Sequence, residues 1–293
     1  YGAEVVLRGH TVDEPLRAAA DFARTTGAVF IHPFDHEDII AGQGTLGLEI
    51  YEQQPDVDTV VVPIGGGGLI SGVASAIKQR AAIDGRTVRV IGVQAANASP
   101  YPVSLEKGAP TQITILPTIA DGIAVSKPGE LNFEIVRRVV DEVVTVSEDD
   151  MAQALLVLLE RAKLVVEPAG AVGVAAILAG QVSASGTTVV ILSGGNIDPM
   201  IMERVISHGL AASERYLKLR IPLPDRPGQL ARVSALVAEC SANVVEVLHT
   251  RHGGGLLISQ VELELHIETR GPEHAELVLE RLRDEGFEPR IDF

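Results

Sequence analysis

The sequence predicts an α/β protein in two parts: a parallel sheet covered by helices, then a smaller βαββαβ unit. Three observations predict it. Short β-branched runs alternate with helical periodicity as far as Asn196. Four consecutive glycines, Gly65 to Gly68, stand between one such run and a helical pattern. From Glu214 onward the alternation gives way to strand, helix, two strands, helix and strand, the ferredoxin-like order.

The first expected strand is "AEVVL", followed by the helix "DEPLRAAADFARTTG" and the strand "AVFIHPF". Next come the helix "GQGTLGLEIYEQQ", the strand "DTVVVPI", the helix after the glycines, and the strand "RVIGVQ". "DEVVTV" precedes a helix from Asp149 to Lys163. An Ala-rich helix from Gly170 to Ala179 leads to "TTVVILSGGN". The second part reads "RYLKLRIPL", "GQLARVSALVAEC", "NVVEVLHT" and "LLISQVELELHI" around "HGGG", then "EHAELVLERLRDEG" and "FEPRIDF". The stretch Ser207 to Arg215, containing "HGLAASER", is the expected linker, dividing the chain into 1–209 and 210–293.

Each glycine inside a regular element costs roughly 0.5 to 1 kcal/mol relative to alanine, so four in a row require a reason. The run Thr59 to Ile64 is short, β-branched and uncharged, and Leu69, Ile70, Val73, Ala74 and Ile77 recur at helical offsets. The glycines therefore join a buried strand to a helix N-terminus. Unpaired N–H groups and the positive dipole end make an anion site there, which residues without a Cβ leave open. The alternative is a flexible linker or a tight turn. A Walker loop is excluded because Val73 stands where its lysine belongs, and the dinucleotide fingerprint fails at Ile70 and at Gln94. What remains is a backbone cradle for one phosphate.

The formal net charge of −15 argues against nucleic acid or an anionic membrane surface as partner. Small molecules are the expected ligands. Cys240 is the single cysteine, which excludes an internal disulfide and fits a reducing, cytoplasmic setting. The chain begins at Tyr1, without methionine and inside an expected strand, so it reads as a fragment.

"IAGQGTLGLEI", "VVPIGGGGLISG", "RVIGVQ", "IADGIAVSKPG", "VSEDDM" and "ILSGGNID" occur in an order that resembles the threonine dehydratases (threonine ammonia-lyases). These belong to the fold type II, tryptophan synthase β-like, pyridoxal-phosphate enzymes; serine racemase and serine dehydratase are near relatives. The resemblance covers about residues 1 to 209 and implies a partial catalytic domain. The remainder is similar to an ACT regulatory domain. By this resemblance pyridoxal 5'-phosphate is the cofactor, and the backbone of Gly65, Gly66, Gly67, Gly68 and Leu69 holds its phosphate. Ser193 then hydrogen-bonds the pyridine nitrogen, although it could also cap the turn after its strand. A neutral hydroxyl leaves that nitrogen unprotonated, which suits β-elimination, where the leaving hydroxyl takes up the electrons.

The same resemblance places the Schiff-base lysine in an S-F-K-x-R-G type motif, and the substrate-carboxylate loop after it, both upstream of the position matching Tyr1. Lys78, Lys107, Lys127, Lys163 and Lys218 lie outside any such motif. No catalytic residue is therefore assigned, and the chain is expected to be inactive as given. Glu167 in "VVEPAG" is either a helix-start acid or, as similar glutamates in the family suggest, a group lining the cofactor ring. His32 and His36 stand four apart, but Pro33 prevents the helix that would pair them, so no metal site is expected. Ser147 and Asp150 read as a capping box.

Three functions compete. Threonine ammonia-lyase yields 2-oxobutanoate and ammonia. Serine racemase is disfavoured because Gln94 and Pro100 occupy the positions of its cation-binding acids, and neither suits a hard cation. A non-catalytic amino-acid sensor is the third. "LPDRPGQLARV", Leu223 to Val233, resembles the ACT signature: Asp225 caps, Pro227 fixes the start of the helix, and Gly228 keeps its N-terminus open to an effector carboxylate. A homo-oligomer with an amino-acid substrate and an aliphatic amino-acid effector is expected.

Overall fold

The computed structural model describes residues 2–9, 13–251 and 259–292. They fall into two compact units, Tyr1–Asp198 and Pro199–Phe293.

In chain order the first unit contains α1 (Asp13–Thr26), α2 (Glu37–Gln53), β1 (Thr59–Pro63), α3 (Gly68–Ile83), β2 (Arg89–Ala95), α4 (Pro100–Lys107), α5 (Glu130–Val139), β3 (Glu142–Val146), α6 (Glu148–Val157), α7 (Pro168–Leu178) and β4 (Thr188–Val190). The four strands form one parallel sheet in the order β3-β2-β1-β4. Every residue of β1 is buried, as a central parallel strand covered on both faces requires. α2 and α3 cross so closely that a Cβ at Gly47 would lie 2.7 Å from the carbonyl oxygen of Val73. The capping box at α6 is present, with Ser147 and Asp150 bonding reciprocally.

Two expected strands are absent. "AEVVL" and "AVFIHPF" are irregular, and Leu7 and Val29 are 91% and 88% exposed. Their β-branched content supplies propensity, but a strand needs a ladder, and among the described residues none pairs with them. Conversely, α4 and α5 were not anticipated. The α5 N-terminus is capped by a residue distant in sequence, so its local start signal is missing. Beyond α6 the helix loosens into one π turn, Leu158–Ala162, and stops at Lys163 with φ of 60°.

The second unit contains α8 (Pro199–Ala212), β5 (Tyr216–Pro224), α9 (Gln229–Glu239), β6 (Asn243–Thr250), β7 (Gln260–Glu268), α10 (Pro272–Asp284) and β8 (Arg290–Ile291). Its sheet is antiparallel in the order β6-β7-β5-β8, the ferredoxin-like arrangement for βαββαβ. Leu217, Leu219, Ile221 and Leu223 on β5 and Val261, Leu263, Leu265 and Ile267 on β7 alternate inward to make its core with α9 and α10. The stretch expected as a linker is instead helical through Ala212, and the units divide at Asp198/Pro199 rather than at 209/210. Its small residues permit a helix, and Gly209 is buried in it. The "HGGG" turn and the start of the strand expected from Leu256 lie outside the described residues. Among the described residues no helix is long and apolar enough to cross a membrane.

Candidate functional site

β1 leaves the sheet at Pro63, and Ile64 is still tied to β2 by its N–H to the Val93 carbonyl, 2.8 Å. The chain then turns through Gly65–Gly67 into α3. Gly67 is the N-cap residue at φ 104°, a conformation that glycine alone adopts readily, and no side chain caps the helix. The first helical bond runs from Ser71 N–H to the Gly67 carbonyl, 3.0 Å. From Gly65 to Ile70, no backbone N–H finds an acceptor among the described residues. Most of this loop is buried. Buried unpaired N–H groups are costly and rare, and an unpaired run at a helix N-terminus has the chemistry to receive an anion.

The glycines serve a second purpose that the sequence concealed. A Cβ on Gly66 would strike the Phe34 ring, one on Gly67 the Tyr101 hydroxyl, and one on Gly68 would lie 2.8 Å from the Phe34 carbonyl. Their missing side chains are therefore demanded by neighbouring protein.

The loop forms one wall of a cavity of about 340 Å³, which Gly65–Leu69 share with Phe34, Asp121–Ile123 and Ser193. The structure thus brings Ser193 to the glycines. Its hydroxyl makes no hydrogen bond among the described residues, so it caps no turn and is available to a ligand. Glu167 stands at the N-cap position of α7 but makes no cap bond. Its carboxylate accepts the Asn196 N–H at 3.0 Å and packs beside Gly194 and Gly122, which puts it behind the cavity wall.

Several residues near the site carried no sequence signal. Asp35 accepts hydrogen bonds from the N–H groups of Glu130, Leu131 and Asn132 at 2.9, 3.1 and 3.2 Å, capping α5 from another segment. Asn132 in turn donates to the Phe34 carbonyl at 2.9 Å. His32 Nδ1 accepts from the N–H groups of Phe34 and Asp35, and His36 Nδ1 from that of Asp38. Both imidazoles thus organise the turn before α2. Burial pushes the His32 pKa below its ordinary value, against the opposing pull of Asp35. Buried Gln94 donates to the Ile64 carbonyl at 3.3 Å and accepts the Tyr101 N–H at 3.0 Å, stapling the β1 exit to α4.

No lysine lines the cavity among the described residues. Lys78 pairs with Asp141 and Lys127 with Glu130. Lys163 donates to the Glu160 carbonyl, and Lys218 belongs to the second unit.

At the β5–α9 junction Gly228 is the N-cap residue, with φ of 91° and open space where a Cβ would be. Asp225 does not cap the helix as expected: its carboxylate faces Arg251 at 3.5 Å, and the helix has no side-chain cap. Asp225 stands three residues ahead of the Gly228 N-cap position, with Pro227 between them.

The family described as "Pyridoxal-phosphate dependent enzyme" matches residues 1–194. An L-threonine ammonia-lyase of Geobacter sulfurreducens is 48% identical over 288 residues, 98% of this chain and 71% of that protein. A solved threonine deaminase, isoform 2 from Solanum lycopersicum in its processed form, is 34% identical with a TM-score of 0.64, over 71% of this chain and 60% of that one. Maize serine racemase is 34% identical with a TM-score of 0.60, over 72% and 64%. The chain therefore spans less than two thirds of either solved structure.

Proposed function

The chain belongs to the pyridoxal-phosphate dependent enzyme family, and from that premise we propose that its natural protein deaminates L-threonine to 2-oxobutanoate and ammonia. The observation that carries the reading is the unpaired N–H run from Gly65 to Ile70 opening into a cavity shared with Ser193. When bound, the cofactor supplies the electron withdrawal that lets the Cα proton and the β-hydroxyl leave. The residues of this chain hold and orient it. The N–H groups of Gly65–Leu69 receive the phosphate, and the Ser193 hydroxyl meets the pyridine nitrogen as a neutral partner. Glu167 packs against Gly122 of the cavity wall and against Gly194 next to Ser193. Among the described residues no lysine lines the cavity to carry the cofactor covalently, so this chain is expected to bind it without turning over threonine.

The ammonia-lyase likeness extends over 98% of the chain, the second unit included. That favours deamination over racemisation, which the fold alone does not separate. In the second unit we read an ACT-type regulatory domain that takes an aliphatic amino acid, isoleucine or valine first, at Gly228. We also read a homo-oligomer paired through that unit, since β6 is an edge strand exposing Val245 and Leu248. A cytoplasmic setting suits a small amino-acid substrate and a chain with a single, unpaired cysteine. Assay of the natural protein with L-threonine and L-serine tests the reading. Release of 2-oxobutanoate is expected, with some pyruvate from serine. D-serine formation without keto-acid release would assign a racemase, and neither product would leave a sensor.

A further inference from the structure

One carbonyl beneath the glycine loop has an unusual set of partners. The Gly66 oxygen accepts from the Tyr101 hydroxyl at 3.2 Å, from Asn132 Nδ2 at 3.2 Å and from the Gly129 N–H at 3.1 Å. Tyr101 and Asn132 are fully buried. The Asn132 amide has its orientation fixed by its partners: Gly66 and Phe34 both present carbonyls, which only its N–H groups can serve. Among the described residues its Oδ1 is left buried without a donor, a cost accepted in exchange for those two bonds. Asp35 holds the Asn132 backbone in place, and the absence of a Cβ on Gly67 leaves room for the Tyr101 oxygen, with which one would collide.

A trans peptide is planar, with its C=O and N–H pointing opposite ways, and no peptide bond among the described residues is cis. Fixing the Gly66 carbonyl inward therefore fixes the Gly67 N–H outward. A diglycine peptide would otherwise rotate with little hindrance.

We propose that Tyr101 and Asn132 are positioning residues of the anion site, holding the Gly66–Gly67 peptide so that the Gly67 N–H faces the phosphate. The inference rests on the cofactor reading above and adds to it a pair of side chains that never touch the ligand. It explains why a buried tyrosine hydroxyl and a half-satisfied asparagine are kept behind a loop whose chemistry is all backbone.

The test uses the 293-residue chain with inorganic phosphate and pyridoxal 5'-phosphate as probes, read by calorimetry and by amide resonances from Gly65 to Ile70. Tyr101→Phe keeps the ring and removes one bond. It is expected to weaken both probes about threefold to tenfold, the usual worth of one hydrogen bond. The Gly67 amide should lose most of its response to saturating phosphate, while Leu69 and Ile70, on the helix itself, keep theirs. Asn132→Ala should do the same and serves as the second variant if Tyr101→Phe fails to fold. Affinity within about twofold of wild type with an unchanged Gly67 response overturns the proposal. So does a uniform loss across Gly65–Ile70, which would mark Tyr101 as general packing. A wild-type chain that shows no response anywhere in the loop refutes the phosphate site itself and with it this inference.

Discussion

Replacing Asp35 with alanine removes a cap that α5 cannot supply from its own sequence. The carboxylate accepts from three successive backbone N–H groups at 2.9 to 3.2 Å, and the residue at the N-cap position, Gly129, has no side chain. Loss of an N-cap side chain costs about 1 kcal/mol and up to about 2. Loss of a negative charge at a helix N-terminus adds about 0.3 to 1. The expected destabilisation is about 2 kcal/mol, which moves a urea midpoint by about 1 M at ordinary slopes. Asp35→Asn keeps an acceptor and should cost about half as much. The measurement is urea unfolding followed by circular dichroism, analysed for two transitions because the chain has two compact units. Only the transition of the first unit should move. Glu49→Ala, an exposed residue away from both ends of α2, is the control and should change stability by less than about 0.5 kcal/mol. If Asp35→Ala behaves like that control, the carboxylate does not hold α5 in solution, and the support it gives Asn132 is lost from the account.

Ser193→Ala should lower turnover of the natural enzyme more than it loosens the cofactor, since the phosphate supplies most of the anchoring; unchanged turnover would remove Ser193 from the reaction. The neutral His32 imidazole accepts two backbone N–H bonds, and burial holds its folded pKa below the ordinary 6.5. Below pH 6.5 the unfolded chain takes up the proton first, so the stability this group contributes is present above that value and falls as the pH drops toward the folded pKa. The stability gap between wild type and His32→Ala should therefore narrow on acidification, and a constant gap would show that His32 does not titrate differently in the two states. Gly228→Asp places a carboxylate at the open N-terminus of α9 and should abolish any effect of isoleucine or valine on threonine deamination. An identical response in variant and wild type would place the effector elsewhere.

The parallel-sheet core was legible because its strands are buried on both faces: a run such as Thr59–Pro63 needs no partner to be recognised. The second unit was legible for the opposite reason, since Leu217 to Leu223 alternate in and out. The N-terminal runs misled because Val5, Leu7, Val29 and Ile31 carry strand propensity without a ladder, and they are largely exposed. Within the site, the strand-to-helix position of Gly65–Leu69 followed from local pattern, and its meeting with Ser193 followed only from the family resemblance. What holds that loop did not. Asp35 caps a helix 95 residues further along the chain, and Tyr101 and Asn132 reach Gly66 across 35 and 66 residues. No periodicity records such contacts. The spacing of "HPFDHED" raises only the question of a metal, whereas its histidines and Asp35 use their acceptor atoms on backbone N–H groups.

The most direct test of the phosphate cradle is a crystal structure of this chain grown with pyridoxal 5'-phosphate at a concentration that saturates binding in solution. The phosphate is expected on the N–H groups of Gly65–Leu69 at the start of α3, with the pyridine nitrogen turned toward the Ser193 hydroxyl. Cofactor bound at any other place, with the glycine loop left free, would contradict the account at its centre.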